Sequence, residues 1–323
     1  LTFWMLRGPP PPKHPPPFFV DSSRRVYHEW RCTHCISPSI FTPTEANMTN
    51  PSPEIALRVQ TGAFHTNYHD WGSGNPVLLI HGSGPGVSSW ANWGRVLPRL
   101  SQSRRTLAID MAGFGFTDRP AGMVYNMDTW MQQAVDFLDA MQLEQVDLVG
   151  NSFGGALALA LTICHPQRIR RLVLMGAMGV RFPITRGLDL AWGYTPSLEN
   201  MRALLDTFAF DRTIVNDDLA QLRYQASIRP GFQESFSSMF PAPRQRWVDE
   251  MARYQDRISS ITQPTLIIHG REDQVIPVET SLKIFSLVPN CQLHIFGRCG
   301  HWTQIEHTNR FVQQVDSFLA DAF

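Results

Sequence analysis

The chain has 323 residues, in which 28 Lys and Arg are balanced by 28 Asp and Glu. That length allows one large domain with its own core, and a formal net charge of zero gives no support to a nucleic-acid or membrane-surface partner. Five cysteines, an odd number, argue against a secreted disulfide framework; no apolar run reaches the ~20 residues that span a bilayer and no signal-peptide pattern is evident, so a cytoplasmic protein is expected.

The N-terminal stretch is unusual. Residues 9–17 read PPPPKHPPP, which favours extended polyproline geometry and cannot continue a helix or a central strand. Residues 1–47 are therefore expected to be a disordered extension outside the chemistry, with Met48 as a candidate native start. Cys32 and Cys35 frame a single CxxC, one pair short of a structural zinc site.

Beyond it, short β-rich apolar runs alternate with helical stretches, the pattern of an α/β protein with a mostly parallel sheet. Residues 56–70 fit a leading hairpin. VLLI at 77–80, TLAI at 106–109, VDLV at 146–149 and RLVLM at 171–175 read as buried strands. Residues 128–141 have helical periodicity, with Trp130, Ala134, Phe137 and Leu138 on the apolar face. From about 182 to 254 the alternation breaks into aromatics, prolines and helix-like pieces, which predicts a helical cap. The sheet resumes with TLII at 265–268 and QLHIF at 292–296, and an amphipathic helix over 308–319 closes the chain. The expected organisation is core over 48–181, cap over 182–260 and core again over 261–323.

GNSFG at 150–154 fits G-x-S-x-G and stands between the strand VDLV and the apolar helix GALALALTI. A tight strand-turn-helix needs small residues beside the nucleophile, exposes the serine hydroxyl and aims backbone N–H groups at the reacting centre. The other reading of Ser152 is an ordinary helix cap. A serine hydroxyl needs a base. His301, in GRCGHW, and Asp273, in HGREDQVIP, each lie just beyond a predicted strand, with Glu272 competing for the acid's place. The order Ser, Asp, His is that of α/β-hydrolases. HGSGPG at 81–86 follows the first core strand, so the backbone N–H groups of Ser83 and Phe153 are the oxyanion candidates. Neither GxGxxG opening a helix nor GxxxxGK[ST] is present, so a nucleotide loop is disfavoured. No cofactor or metal is implied.

The stretches GSGPGVSSWANW, DMAGFGFTDRP, VGNSFGGALALA, LVLMGAMGVRF, LIIHGREDQVIP and HIFGRCGHWTQIEH resemble the meta-cleavage product hydrolases, which cleave a carbon–carbon bond in ring-fission products of aromatic degradation. The likeness runs from about residue 60 to the C-terminus and is strongest toward members acting on alkylbenzene products, such as 2-hydroxy-6-oxohepta-2,4-dienoate or its 7-methylocta relative. It implies an α/β-hydrolase fold with a helical cap, Ser152, Asp273 and His301 as the triad, and Ser83 and Phe153 at the oxyanion positions. It also implies Arg223 against a substrate carboxylate, Asn92, Asn151 and Trp302 around the dienoate end, and a homo-oligomer. The chemistry agrees: a guanidinium fork suits a planar carboxylate, and an amide can both donate to and accept from an enol or keto oxygen. Met178 and Ile276 are pocket-wall candidates. The rival readings are a carboxylesterase with the same triad, which would not need Arg223, and a noncatalytic receptor for a small ligand.

Overall fold

The computed structural model describes residues 52–320. The proline-rich run, the CxxC pair, Met48 and the expected extension lie outside the described residues. Eight strands form one sheet: β1 (Leu57–Thr61), β2 (Phe64–Trp71), β3 (Pro76–Ile80), β4 (Arg105–Ile109), β5 (Val146–Asn151), β6 (Ile169–Met175), β7 (Thr265–Gly270) and β8 (Cys291–Phe296). Their spatial order is β1-β2-β4-β3-β5-β6-β7-β8. β1 and β2 pair antiparallel, β2 lies antiparallel against β4, and every later pairing is parallel.

Side-chain alternation along the strands sorts residues into two layers. Leu78, Ile80, Leu107 and Ile109 enter one apolar cluster, while Val77, Leu79, Ala108 and Val149 enter the cluster on the opposite face. Both faces are covered, so the central strands read as continuous apolar runs. Burial of each such side chain stabilises by about 2 kcal/mol. On the first face lies the helix Met127–Ala140, started by Asn126, whose side chain accepts from Thr129 N–H. It buries Trp130, Ala134, Phe137 and Leu138 as its periodicity predicts, and also Gln133. That amide is fully used: it accepts from Ala112 N–H at 2.6 Å and donates to Thr66 Oγ1 and the Asp110 carbonyl. The closing helix Thr308–Ala320 covers the other face with Phe311, Val315, Phe318 and Leu319.

Between β6 and β7 the chain leaves the sheet and forms five helices: Arg186–Trp192, Leu198–Phe208, Asp217–Ser227, Phe232–Met239 and Gln245–Met251. Thr185, Ser197 and Asn216 cap the first three through their side chains. This helical insertion joins the core at the ends of parallel strands, where sheets of this kind bind ligands. No helix among the described residues is long and apolar enough to cross a membrane.

Candidate active site

Ser152 sits between β5 and the helix Phe153–Cys164 with φ 56° and ψ −115°, a conformation uncommon for a residue with a side chain. The turn is held by Ser152 N–H donating to the Met175 carbonyl at 2.9 Å, and by Met178 N–H donating to the Ser152 carbonyl at 3.1 Å. It closes only because its neighbours are glycine. A Cβ on Gly150 would lie 2.3 Å from the Gly154 carbonyl oxygen, and one on Gly154 would lie 2.5 Å from that of Ile80. The Ser152 side chain makes no capping bond to the helix it precedes. Its hydroxyl is therefore not spent on the helix, which disposes of the helix-cap reading.

Loops after β7 and β8 bring Asp273 and His301 together. His301 Nδ1 stands 2.7 Å from Asp273 Oδ2, with the two side chains 6% and 1% exposed. Asp273 Oδ1 accepts the N–H groups of Val275 and Ile276 at 2.7 and 2.9 Å. Burial pushes the Asp273 carboxyl up, but the His301 charge and hydrogen bonds from His269 and His301 more than reverse this and hold it well below the usual carboxylate range. Glu272, the competitor, is spent elsewhere: it accepts from Cys299 N–H at 2.9 Å and from the Arg271 guanidinium. His301 is also tied to the cap, donating its backbone N–H to the Phe208 carbonyl at 2.8 Å.

A cavity lined by Ser83, Asn92, Asn151, Arg223, His301 and Trp302 gathers most of the expected residues. Ser152 adjoins it, since a Cβ on the lining residue Gly82 would meet Ser152 Cβ at 3.3 Å. Phe153 N–H is the first amide of its helix and has no carbonyl one turn earlier to bond. Asn92 Oδ1 accepts from Gly82 N–H at 3.0 Å, which fixes which end of that amide faces the turn. Asn151 must then present Nδ2 to the same oxygen, at 2.8 Å. Two buried groups are left without partners, the Asn92 Nδ2 donor and the Asn151 Oδ1 acceptor. Arg223 spends one N–H on the Ala91 carbonyl at 2.7 Å, while its Nε is shut off from solvent and unpaired. Burial pulls its pKa down, and Glu54 only partly offsets this. Buried polar groups are ordinarily hydrogen bonded, so these unpaired atoms stand out among the residues that line the cavity.

Met178 and Ile276 are fully buried in the core and are not among the lining residues. Val275 takes the expected position of Ile276, whose backbone is tied to Asp273 and His269. Sequence reasoning passed over the wall residues Met201, Leu204 and Leu205 of the helix Leu198–Phe208, which share its buried face at helical spacing. It also passed over Gln304, three residues beyond His301, whose Oε1 is unpaired in the same cavity. Trp192 joins cap to core by donating its Nε1–H to Ser83 Oγ at 2.9 Å.

The sheet order, the strained serine turn and the Asp273–His301 pair define an α/β-hydrolase, and a model of the alpha/beta hydrolase fold matches residues 75–308. The chain is 60% identical over 276 residues to a 2-hydroxymuconate semialdehyde hydrolase of Pseudomonas sp. (strain CF600), covering 85% of this chain and 98% of that one. It is 59% identical over 273 residues to a 2-hydroxy-6-oxo-2,4-heptadienoate hydrolase of Pseudomonas putida F1, covering 84% and 99%. It superposes with a TM-score of 0.81 on the meta-cleavage product hydrolase of Pseudomonas fluorescens IP01 (CumD), at 56% identity over 82% of this chain and 98% of that one. The chain belongs to the meta-cleavage product hydrolases, and so to the hydrolases of carbon–carbon bonds.

Proposed function

We propose that this enzyme cleaves the C5–C6 bond of 2-hydroxy-6-oxo-hexa-2,4-dienoates, giving 2-hydroxypenta-2,4-dienoate and a short carboxylic acid. The observation that carries the reading is the unpaired set in one cavity beside His301: the Arg223 cation, the Asn92 donor and the Asn151 acceptor. A plain esterase has no use for this set. The dienoate supplies a carboxylate for Arg223 and, next to it, a C2 oxygen for the asparagines.

A proton moves from the C2 hydroxyl to C5, assisted by His301, and gives the 2,6-diketone. Ser152 Oγ then attacks C6 while His301 Nε2 takes its proton, and Asp273 holds the Nδ1–H tautomer and steadies the imidazolium. The oxyanion is met by the Ser83 and Phe153 N–H groups; losing one such donor typically costs about 3 kcal/mol in the transition state. Collapse breaks C5–C6, and the electron pair runs through C4 and C3 to the C2 oxygen, which takes the proton from the His301 imidazolium, and the product leaves as 2-hydroxypenta-2,4-dienoate. The neutral His301 then takes a proton from water as the water oxygen attacks the acyl carbon, and passes that proton to Ser152 Oγ as the C–Oγ bond breaks and the acid leaves. The 59% identity to a 2-hydroxy-6-oxo-2,4-heptadienoate hydrolase, whose named substrate carries methyl at C6, supports a small alkyl group there.

Ser152→Ala tests the reading. Turnover of the dienoate is expected to fall at least ~10⁴-fold, while binding of the yellow substrate persists. Turnover at the wild-type rate would overturn the mechanism.

A further inference from the structure

One buried group beside the triad has no part in the chemistry above. His269, in β7, is fully buried, as is Ser281 in the helix Val278–Leu287. Both ring nitrogens are engaged. Nδ1 stands 2.6 Å from Ser281 Oγ, and Nε2 stands 3.0 Å from the Ile276 carbonyl oxygen and 3.3 Å from Asp273 Oδ2. A carbonyl and a carboxylate only accept, so Nε2 carries the hydrogen. Nδ1 of the neutral ring is then a lone pair, and the Ser281 hydroxyl donates to it. The result is a directed chain from Ser281 O–H to His269 Nδ1, and from His269 Nε2–H to a position shared by the Ile276 carbonyl at 3.0 Å and the Asp273 carboxylate at 3.3 Å. Asp273 Oδ2 is thus approached by two imidazoles and Oδ1 by two backbone amides.

We propose that His269 is a positioning residue for the triad acid, its tautomer set by Ser281, holding the Asp273 carboxylate in the plane His301 needs and tempering the charge His301 feels. This rests on the reading of Ser152, His301 and Asp273 as the triad. Two other titratable groups flank the same loop. Glu272 is committed to Arg271 and Cys299 N–H, and burial pushes the Cys299 thiol up to about 12, so it stays neutral. Neither can replace the donor at Oδ2. Without His269 the carboxylate is free to turn and carries a less satisfied charge, which favours the imidazolium of His301.

The test compares His269→Leu, His269→Gln, His269→Asn and Ser281→Ala with His301→Ala in the full chain, by kcat, KM and the pH profile of kcat/KM. His269→Leu is expected to lower kcat about 10-fold, leave KM unchanged and move the acidic limb of the profile to higher pH. Glutamine carries its amide nitrogen where imidazole has Nε2, so His269→Gln should recover most of the rate; asparagine reaches only the Nδ1 position and should not. Ser281→Ala should move the profile the same way, less far. A folded His269→Leu protein with the wild-type profile and rate would overturn the proposal, as would equal damage from Gln and Asn, which remains decisive if the leucine variant does not fold. An inactive His301→Ala beside a wild-type His269→Leu would remove this proposal alone; an active His301→Ala would remove the triad reading and this proposal with it.

Discussion

Replacing Arg223 by Met separates a carbon–carbon hydrolase from an esterase on the same triad. The substitution keeps most of the stem volume and deletes the charge. In the free enzyme it removes one hydrogen bond, to the Ala91 carbonyl, worth about 1 kcal/mol. It also removes a cation whose Nε is buried and unpaired, which offsets that loss. The midpoint of urea unfolding should therefore stay within about 1 kcal/mol of wild type. In the complex the substrate carboxylate loses its charged partner. A hydrogen bond to a charged group contributes about 1.5–3 kcal/mol, so kcat/KM for the dienoate should fall about 10- to 100-fold. Because the carboxylate is remote from C6 and bound alike in ground and transition states, most of the change should appear in KM. The assay follows loss of the dienoate chromophore beside hydrolysis of a neutral aryl acetate, which offers no carboxylate and should be unaffected. Equal loss on both substrates, or no loss on either, would refute the assignment of Arg223.

The Asp273 carboxyl is held below the usual range, so its contribution to stability is complete above the unfolded value near ~4 and is lost as pH falls from there toward the folded value. Wild type should lose stability faster than Asp273→Asn between about pH 5 and 3, and parallel urea-midpoint profiles would contradict this; Asp273→Asn should also lower kcat about 10⁴-fold. Burial pushes the Cys299 thiol up to about 12 and leaves it unexposed, so iodoacetamide at neutral pH should spare Cys299 in the native enzyme and label it on unfolding, as read by peptide mass; rapid native labelling would place that loop differently.

Much of the framework was legible because buried parallel strands and the amphipathic helices at 127–140 and 308–320 write their burial into the sequence. Ser152, Asp273 and His301 were legible because each lies at the end of a strand and the turn chemistry around Ser152 tolerates few alternatives. The family likeness already favours Asp273 over the adjacent Glu272, and the coordinates supply the physical reason: Glu272 is held by Cys299 N–H while Asp273 meets His301. At the wall the expected Ile276 packs in the core while its neighbour Val275, also buried, lines the cavity, a difference of one residue that no local pattern carries. His269 reads in sequence as an ordinary histidine at a strand end; only packing across 12 residues puts Ser281 against it. The unpaired atoms of Asn92, Asn151 and Gln304 are a property of the assembled cavity that no local pattern carries.

The most direct test of the central claim is kcat/KM on dienoates bearing methyl, isopropyl or phenyl at C6, followed by loss of the yellow chromophore and identification of both products. The account predicts turnover with preference for the alkyl substrates, releasing 2-hydroxypenta-2,4-dienoate and the matching carboxylic acid. An enzyme that hydrolyses simple esters and leaves all three dienoates intact would contradict it.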